Sequence, residues 1–381
     1  MIKLIKQISI TAALIALPCA HISATAQGIT ASEILIGQTA GYTGIVGGSV
    51  AETAAGARLY IDYVNANGGV KGRKIRLESM DDAYDPKKAI ENAKTLIKDK
   101  KVFAMFLTRG TPITEAILPL IKETGTPLIA PSTGAITFHT PVNPLVFNVR
   151  STYQLEGEKA IAQLVSQGIK KIAVIHVDDS FGKDGLAGYL GGFKAVGLQP
   201  TGVFTYDRVK ADVTEAVTKA LALNPEAIVT VGAPKPTAAI VKAMHTKGLY
   251  APVVALSNNS SQSFVKDLGD LGPGAIVMQV FPDPRKISSV LGREMQQLAA
   301  DKKDFQISHT ALEGFAAAKV LVEGLKRAGK TPTRESFIEG LESMKNFDLG
   351  GGLAVNYGAN DHTGLSFVEA SIINKRGTFT Q

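Results

Sequence analysis

The chain switches between strand-like and helix-like stretches in a regular order, and it runs through that order twice. EILIGQTA (33–40), KIRLESM (74–80), VFAMFL (102–107) and PLIAP (127–131) have the apolar, β-branched character of strands. Helix-like segments separate them, at 49–65, from 85 to about 98, and at 114–123. Asp85-Pro86 supplies a cap and a first-turn proline for the second of these. A βαβα order joins parallel strands through helical crossovers, so it predicts a parallel sheet with helices on both faces. The order restarts after Arg150. Helices are predicted at 155–166, 183–196, 213–223 and 237–247, and strands at 171–177, 202–206, 227–232, 252–257 and 275–281.

The tail breaks this rhythm. Three helices run in succession near 289–300, 309–328 and 333–345, followed by strands at 353–357 and 366–373. A helical run after a complete second array implies that the chain returns to the first. The expected division is 29–149 plus 281–352 in one lobe and 150–280 plus 353–381 in the other. Crossings are expected at 148–152, 279–283 and 350–357. With 381 residues, two domains also agree with a prior of ~150 residues each.

The first residues carry an export signature. Lys3 and Lys6 precede an apolar run over 8–17, and Ala24-Thr25-Ala26 offers a small-x-small cleavage site. That run is shorter than the ~20 residues a membrane span needs. Residues 1–26 therefore read as a signal peptide. The single cysteine, Cys19, falls inside it, and Pro18 is a poor neighbour for lipid attachment there. The processed protein then has no cysteine and depends on its core rather than on disulfides. The formal charge of +7 includes the two leader lysines, and the remaining basic residues are scattered among acids. No basic stripe suited to nucleic acid is visible.

Ligands of parallel sheets sit at the carboxyl ends of the strands. Here those ends are rich in glycine and hydroxyls: Gly41-Tyr42-Thr43-Gly44, Thr108-Arg109-Gly110-Thr111 and Ser132-Thr133-Gly134. Such residues at helix starts present N–H and O–H donors to an anion. Arg109 either clamps a carboxylate or faces outward. No G-x-G-x-x-G follows a strand and no P-loop is present, so a nucleotide cofactor is not expected. The glycines of NANGGVKGRK (65–74) read as a helix end and a turn. No G-x-S-x-G elbow appears, and the histidines have no metal-ligand spacing. Asp178-Asp179 reads as a cap for the following helix rather than a catalytic pair.

Taken in order, ILIGQTAGYTG, VNANGGVKGRKI, MDDAYDPKKA, IAPSTGA, FNVR, HVDDSFGKDG and LESMKNFDLGG resemble the periplasmic leucine/isoleucine/valine-binding proteins, the type I solute-binding components of ABC transporters. The resemblance covers essentially all of the chain after the leader. It implies an α/β fold of two Rossmann-like lobes joined by three crossings, with a small molecule held between them. It also implies a periplasmic monomer, an inner-membrane ABC permease as partner, no cofactor and no catalysis.

Carried over position by position, the carboxylate-holding loop falls on Thr111 and its partner segment on Ser132-Thr133-Gly134. The closing aromatic falls on Phe181, and other lining positions fall on Ser49, Tyr153, Gly232, Ala233 and Pro234. Amino-acid-binding members place an acid for the ligand's ammonium where this chain has Ser257-Asn258. That departure favours a carboxylate ligand without an α-ammonium group, an aromatic or other organic acid, over a branched-chain amino acid, which stays open as the alternative. An amino-acid ligand would need Asp178, Asp179 or Glu313 to reach the cleft instead. A sensing receptor of the same fold and an exported enzyme on a similar sheet are the alternative readings.

Overall fold

The structure, a computed structural model, describes residues 26–380. The leader read at 1–26 lies outside the described residues except for Ala26. The first sheet contains β1 (Glu33–Ala40), β2 (Lys74–Asp81), β3 (Ala104–Phe106), β4 (Leu128–Ile129) and β5 (Val146–Phe147). Their order is β2-β1-β3-β4-β5, and every pairing is parallel. Helices α1 (Gly47–Ala66), α2 (Pro86–Lys94, continued by a π turn to Asp99) and α3 (Thr111–Thr124) connect them. In β1 every residue after Glu33 is buried, as expected of a strand with both faces covered.

The second array is α4 (Tyr153–Ser166), β6 (Ile172–Val177), α5 (Ser180–Ala195), β7 (Gly202–Tyr206), α6 (Thr214–Leu221), β8 (Ala227–Val231), α7 (Pro234–Thr246), β9 (Val253–Ala255), α8 (Gln262–Leu268) and β10 (Ile276–Gln279). Then follow α9 (Val290–Leu298), α10 (His309–Arg327), α11 (Arg334–Glu342), β11 (Phe347–Asp348), β12 (Ala354–Val355), β13 (Glu369–Ile373) and β14 (Phe379–Thr380). The second sheet runs β14-β13-β10-β9-β8-β6-β7. Its core pairs are parallel, while β13 and β14 join antiparallel at the β10 edge.

The late helices clothe the first sheet. Helix α10 lies directly on α1, and two glycines allow the close approach. A Cβ on Gly56 would lie 1.8 Å from the Ala311 carbonyl oxygen, and one on Gly314 would lie 1.8 Å from that of Thr53. No larger residue fits at either point without moving a backbone. In α11, Phe337 packs on Phe103 with ring centroids 5.4 Å apart. The Arg334 guanidinium donates to the carbonyls of Val102, Phe103 and Thr124 at 2.8–2.9 Å.

The last crossing comes later than the expected 350–357. Instead of a strand over 353–357, Ala354–Val355 pairs antiparallel with Phe347–Asp348 in a small hairpin. Gly350, Gly351 and Gly352 form its turn, all with positive φ. The Tyr357 hydroxyl then donates to the Asn148 carbonyl at 2.7 Å. The His362 ring stacks on Phe147 at 3.8 Å. These contacts hold Tyr357 and His362 against β5 of the first sheet, past the 352 at which the first lobe was expected to end.

Candidate functional site

Loops that leave the carboxyl ends of strands in the two sheets meet, as Arg109 does with Asn258, and form a cleft. Helix ends show where the chain has left backbone donors free. Side-chain oxygens cap α2, α4, α5 and α8 to α11 at their N-termini. The caps of α1, α3 and α7 are Val46, Gly110 and Ala233, with no side-chain bond. These three helices begin at the cleft, and their dipoles favour an anion there, although Pro112, Pro234 and Pro236 bring no N–H donor to the first turns of α3 and α7.

Arg109 stands at the centre. It is 4 % exposed. Its Nη1 donates to Ser132 Oγ at 2.9 Å, and its Nη2 donates to Ser49 Oγ at 3.3 Å. Nη2 also donates across the cleft to the Asn258 carbonyl at 2.9 Å. None of the described residues gives it an ion pair; the nearest acid in its network, Glu313, is reached through Ser132, whose hydroxyl donates to Glu313 Oε1 at 2.7 Å. The outward-facing alternative for Arg109 is excluded by this burial.

The neighbouring predicted residues are placed as follows. Thr111 and Thr133 bond each other through their hydroxyls at 2.8 Å, and both are buried. Thr108 turns its hydroxyl to Thr114 instead, at 2.9 Å, and so braces the start of α3. Gly110 has φ +94° and sits under the Tyr84 ring. The Tyr42 hydroxyl donates to Gln38 at 2.6 Å. The Gly134 carbonyl accepts from the Tyr153 N–H at 2.8 Å, tying the first lobe to the start of α4.

On the facing side, the Tyr153 and Phe181 rings touch at 5.0 Å, tilted by 54°. The Gly232 carbonyl accepts from Asn258 Nδ2 at 2.8 Å. Ala233 packs against Ala40, Val46 and Val50 of the first lobe, and Pro234 opens α7. Asp179 accepts from the Gly182 N–H at 2.9 Å, the helix cap its sequence suggested. It also pairs with Arg208 at 2.7 Å.

Sequence reasoning missed the second charged cluster. Arg150 is 1 % exposed and pairs with Glu156 at 2.5 Å. Its Nη2 donates to Ser257 Oγ at 2.6 Å, and its Nη1 is buried with no partner among the described residues. Ser257 returns its hydroxyl to Glu156 Oε1 at 2.9 Å and its N–H to Oε2 at 2.7 Å. An acid therefore does stand behind Ser257, but it comes from α4 and both its oxygens are occupied. Burial pushes the Glu156 carboxyl up, and the Arg150 charge opposes this. The signal was present: Glu156 falls on the face of α4 that also carries Tyr153, Gly157, Ala160, Ile161 and Leu164, where the helical period calls for an apolar residue.

Among the described residues no group of His, Cys, Asp and Glu is arranged to hold a metal ion. The donors that converge here suit the cleft to holding an anionic group.

The comparisons with known proteins agree with this architecture. A family model described as periplasmic binding protein matches residues 33–368. The chain is 32% identical to a substrate-binding periplasmic protein from Ralstonia solanacearum, covering 91% of this chain and 99% of that one with a TM-score of 0.86. It is 24% identical over 346 residues to the Leu/Ile/Val-binding protein homolog 3 of Brucella melitensis, spanning 88% of this chain and 90% of that protein. A possible leucine/isoleucine/valine-binding protein from Rhodopirellula baltica superposes with a TM-score of 0.87 at 24% identity, over 92% of this chain and 96% of that one. Two lobes with parallel-sheet cores, a donor-lined cleft between them and a family match over most of the chain lead to one conclusion: the protein belongs to the periplasmic binding proteins and has their type I fold.

Proposed function

We propose that the protein captures a small carboxylate-bearing solute between its lobes in the periplasm and delivers it to an inner-membrane ABC permease. The observation that carries this reading is Arg109, a buried guanidinium whose protein contacts are two hydroxyls and a carbonyl rather than a carboxylate. Burying a guanidinium without an ion-pair partner is costly, and a ligand carboxylate supplies the missing charge. The uncapped start of α3 adds backbone donors beside it. The ligand lacks an α-ammonium group and has an apolar or aromatic body. Glu156, the acid nearest Ser257, is saturated by Arg150 and Ser257, so an ammonium has no free carboxylate there. Tyr153 and Phe181 offer flat surface to a ring.

The direct test is a thermal-shift panel of branched-chain amino acids and non-amino carboxylates, alongside mass spectrometry of whatever leaves the denatured protein. A ligand at a hundred times its dissociation constant adds about 2.7 kcal/mol. Arg109→Gln, Ser132→Ala and Thr111→Ala should each weaken carboxylate binding roughly ten- to a hundredfold, as expected for a lost charge-assisted bond. Strong stabilisation by leucine, isoleucine or valine alone would overturn the ligand class, and unchanged binding in Arg109→Gln would overturn the anchor.

A further inference from the structure

Away from the arginines, two of the unpartnered hydroxyls on the second lobe lie against the same glycine. Tyr206 closes β7 and is 5 % exposed, while Thr237 lies in the first turn of α7 and is fully buried. Neither the Tyr206 hydroxyl nor the Thr237 hydroxyl has a hydrogen-bond partner among the described residues. Buried hydroxyls are ordinarily satisfied, so two adjacent exceptions call for a reason. Both converge on Gly232. A Cβ added there would lie 2.5 Å from the Tyr206 oxygen and 2.9 Å from Thr237 Oγ1. The absence of a side chain at Gly232 therefore lets the two hydroxyls pack together against its backbone. Gly232 also carries the carbonyl to which Asn258 is bonded, and Asn258 receives Arg109, so the pair and the anion anchor belong to one continuous cleft wall.

The Tyr206 ring lines a narrow cavity between the lobes. Its other walls include Ile45 and Tyr84 from the first lobe, and Val177, Phe181 and Pro236 from the second. These are apolar or aromatic surfaces. The two charges at its edge, Arg208 and Asp179, neutralise each other at 2.7 Å, so the cavity does not call for a charged occupant. Burial raises the Tyr206 phenol, which therefore keeps its proton and can donate. Each hydroxyl can also accept. The matching group is itself both donor and acceptor.

We propose that Tyr206 and Thr237 form a distal polar subsite that takes a neutral hydroxyl on the ring of an aromatic carboxylate whose acid end is held at Arg109. This inference rests on the carboxylate reading above and adds the far end of the ligand. Gly232 has a specific part in it, since any side chain there would displace the two hydroxyls.

The experiment is isothermal titration of the processed full-length protein with two matched probe pairs: benzoate against para-hydroxybenzoate, and phenylpropanoate against its para-hydroxy derivative. Two lengths are needed because the spacing of anchor and subsite selects one of them. In wild type the hydroxylated member of the fitting pair should bind about tenfold tighter. Tyr206→Phe should erase that preference while leaving the unhydroxylated probe within about twofold, and Thr237→Val should reduce it several-fold. Unliganded Tyr206→Phe should melt at or above the wild-type temperature, because an unsatisfied hydroxyl has been removed. Equal affinity for both members of each pair in wild type overturns the subsite and leaves the carboxylate reading standing. Equal weakening of both members in Tyr206→Phe also overturns it, since that outcome reports packing alone. Failure of all four acids to bind, with Arg109→Gln indistinguishable from wild type, overturns the carboxylate reading and the subsite with it.

Discussion

Asp82 shows how one residue ties the cleft edge to pH. It is fully buried behind β1, accepting from Thr39 Oγ1 at 2.9 Å and from the Tyr84 N–H at 2.8 Å. Burial pushes its carboxyl up to about 6, against the two hydrogen bonds. Below about pH 4 folded and unfolded chains both hold the proton. Between about 4 and 6 the unfolded chain releases it first, so stability falls as pH rises through that window, by at most roughly 3 kcal/mol. Asp82→Asn should flatten this slope, which urea midpoints at about pH 4 and about pH 7 would reveal; an unchanged slope would refute it. Legibility at this scale was uneven. The small polar ends of the strands were visible in the sequence, because glycine and hydroxyls where a core should continue are conspicuous. Arg150 and Glu156 were not. Six residues apart, they meet only because the chain turns from crossing to helix between them, and their partner Ser257 is a hundred positions away.

Elements fared better where their periodicity was long. The repeated strand–helix order foretold the parallel cores, and Asp85-Pro86 foretold the start of α2. The two-residue strand β5 and the seven-residue α8 are too short for a period to speak, and tertiary pairing decides them. The same holds for the hairpin over 347–355, whose glycine turn overrode the strand expected there. The contact of α1 with α10 makes a sharper prediction. Gly314→Ala forces a methyl group against the Thr53 carbonyl and should cost about 1–3 kcal/mol. Chemical denaturation should show a lower midpoint with an unchanged slope, and wild-type stability in this variant would mean the helices separate more freely than their packing implies.

Across the whole molecule, the lobes hold each other through contacts that need no ligand. Arg208 stacks over Tyr84 at 4.3 Å and donates to its carbonyl at 2.9 Å. Glu52 accepts from the N–H groups of Gln262 and Ser263 at 2.9 and 2.8 Å, and Ser180 donates to Glu115 at 2.5 Å. These clasps favour the arrangement in which the lobes touch, and apparent affinity scales with the fraction of protein that is competent to bind. Arg208→Met should therefore weaken every ligand by roughly three- to tenfold and enlarge the unliganded particle in small-angle scattering. Unaltered dimensions together with unaltered affinity would show that the clasp does not set the equilibrium.

The late return of α10 and α11 to the first sheet also governs the order in which the protein can be made. The surface of α1 that Gly56 opens is covered only when Gly314 arrives, more than two hundred residues later. The second sheet likewise waits for β13 at Glu369–Ile373 to close its β10 edge. Neither lobe is a continuous stretch that can finish while the rest of the chain is still emerging. Such distant pairings make folding slow, since long loops must close before the contacts that reward them exist. A chain that cannot complete either half early stays extended for longer, which is the form in which a polypeptide can be threaded through a narrow channel.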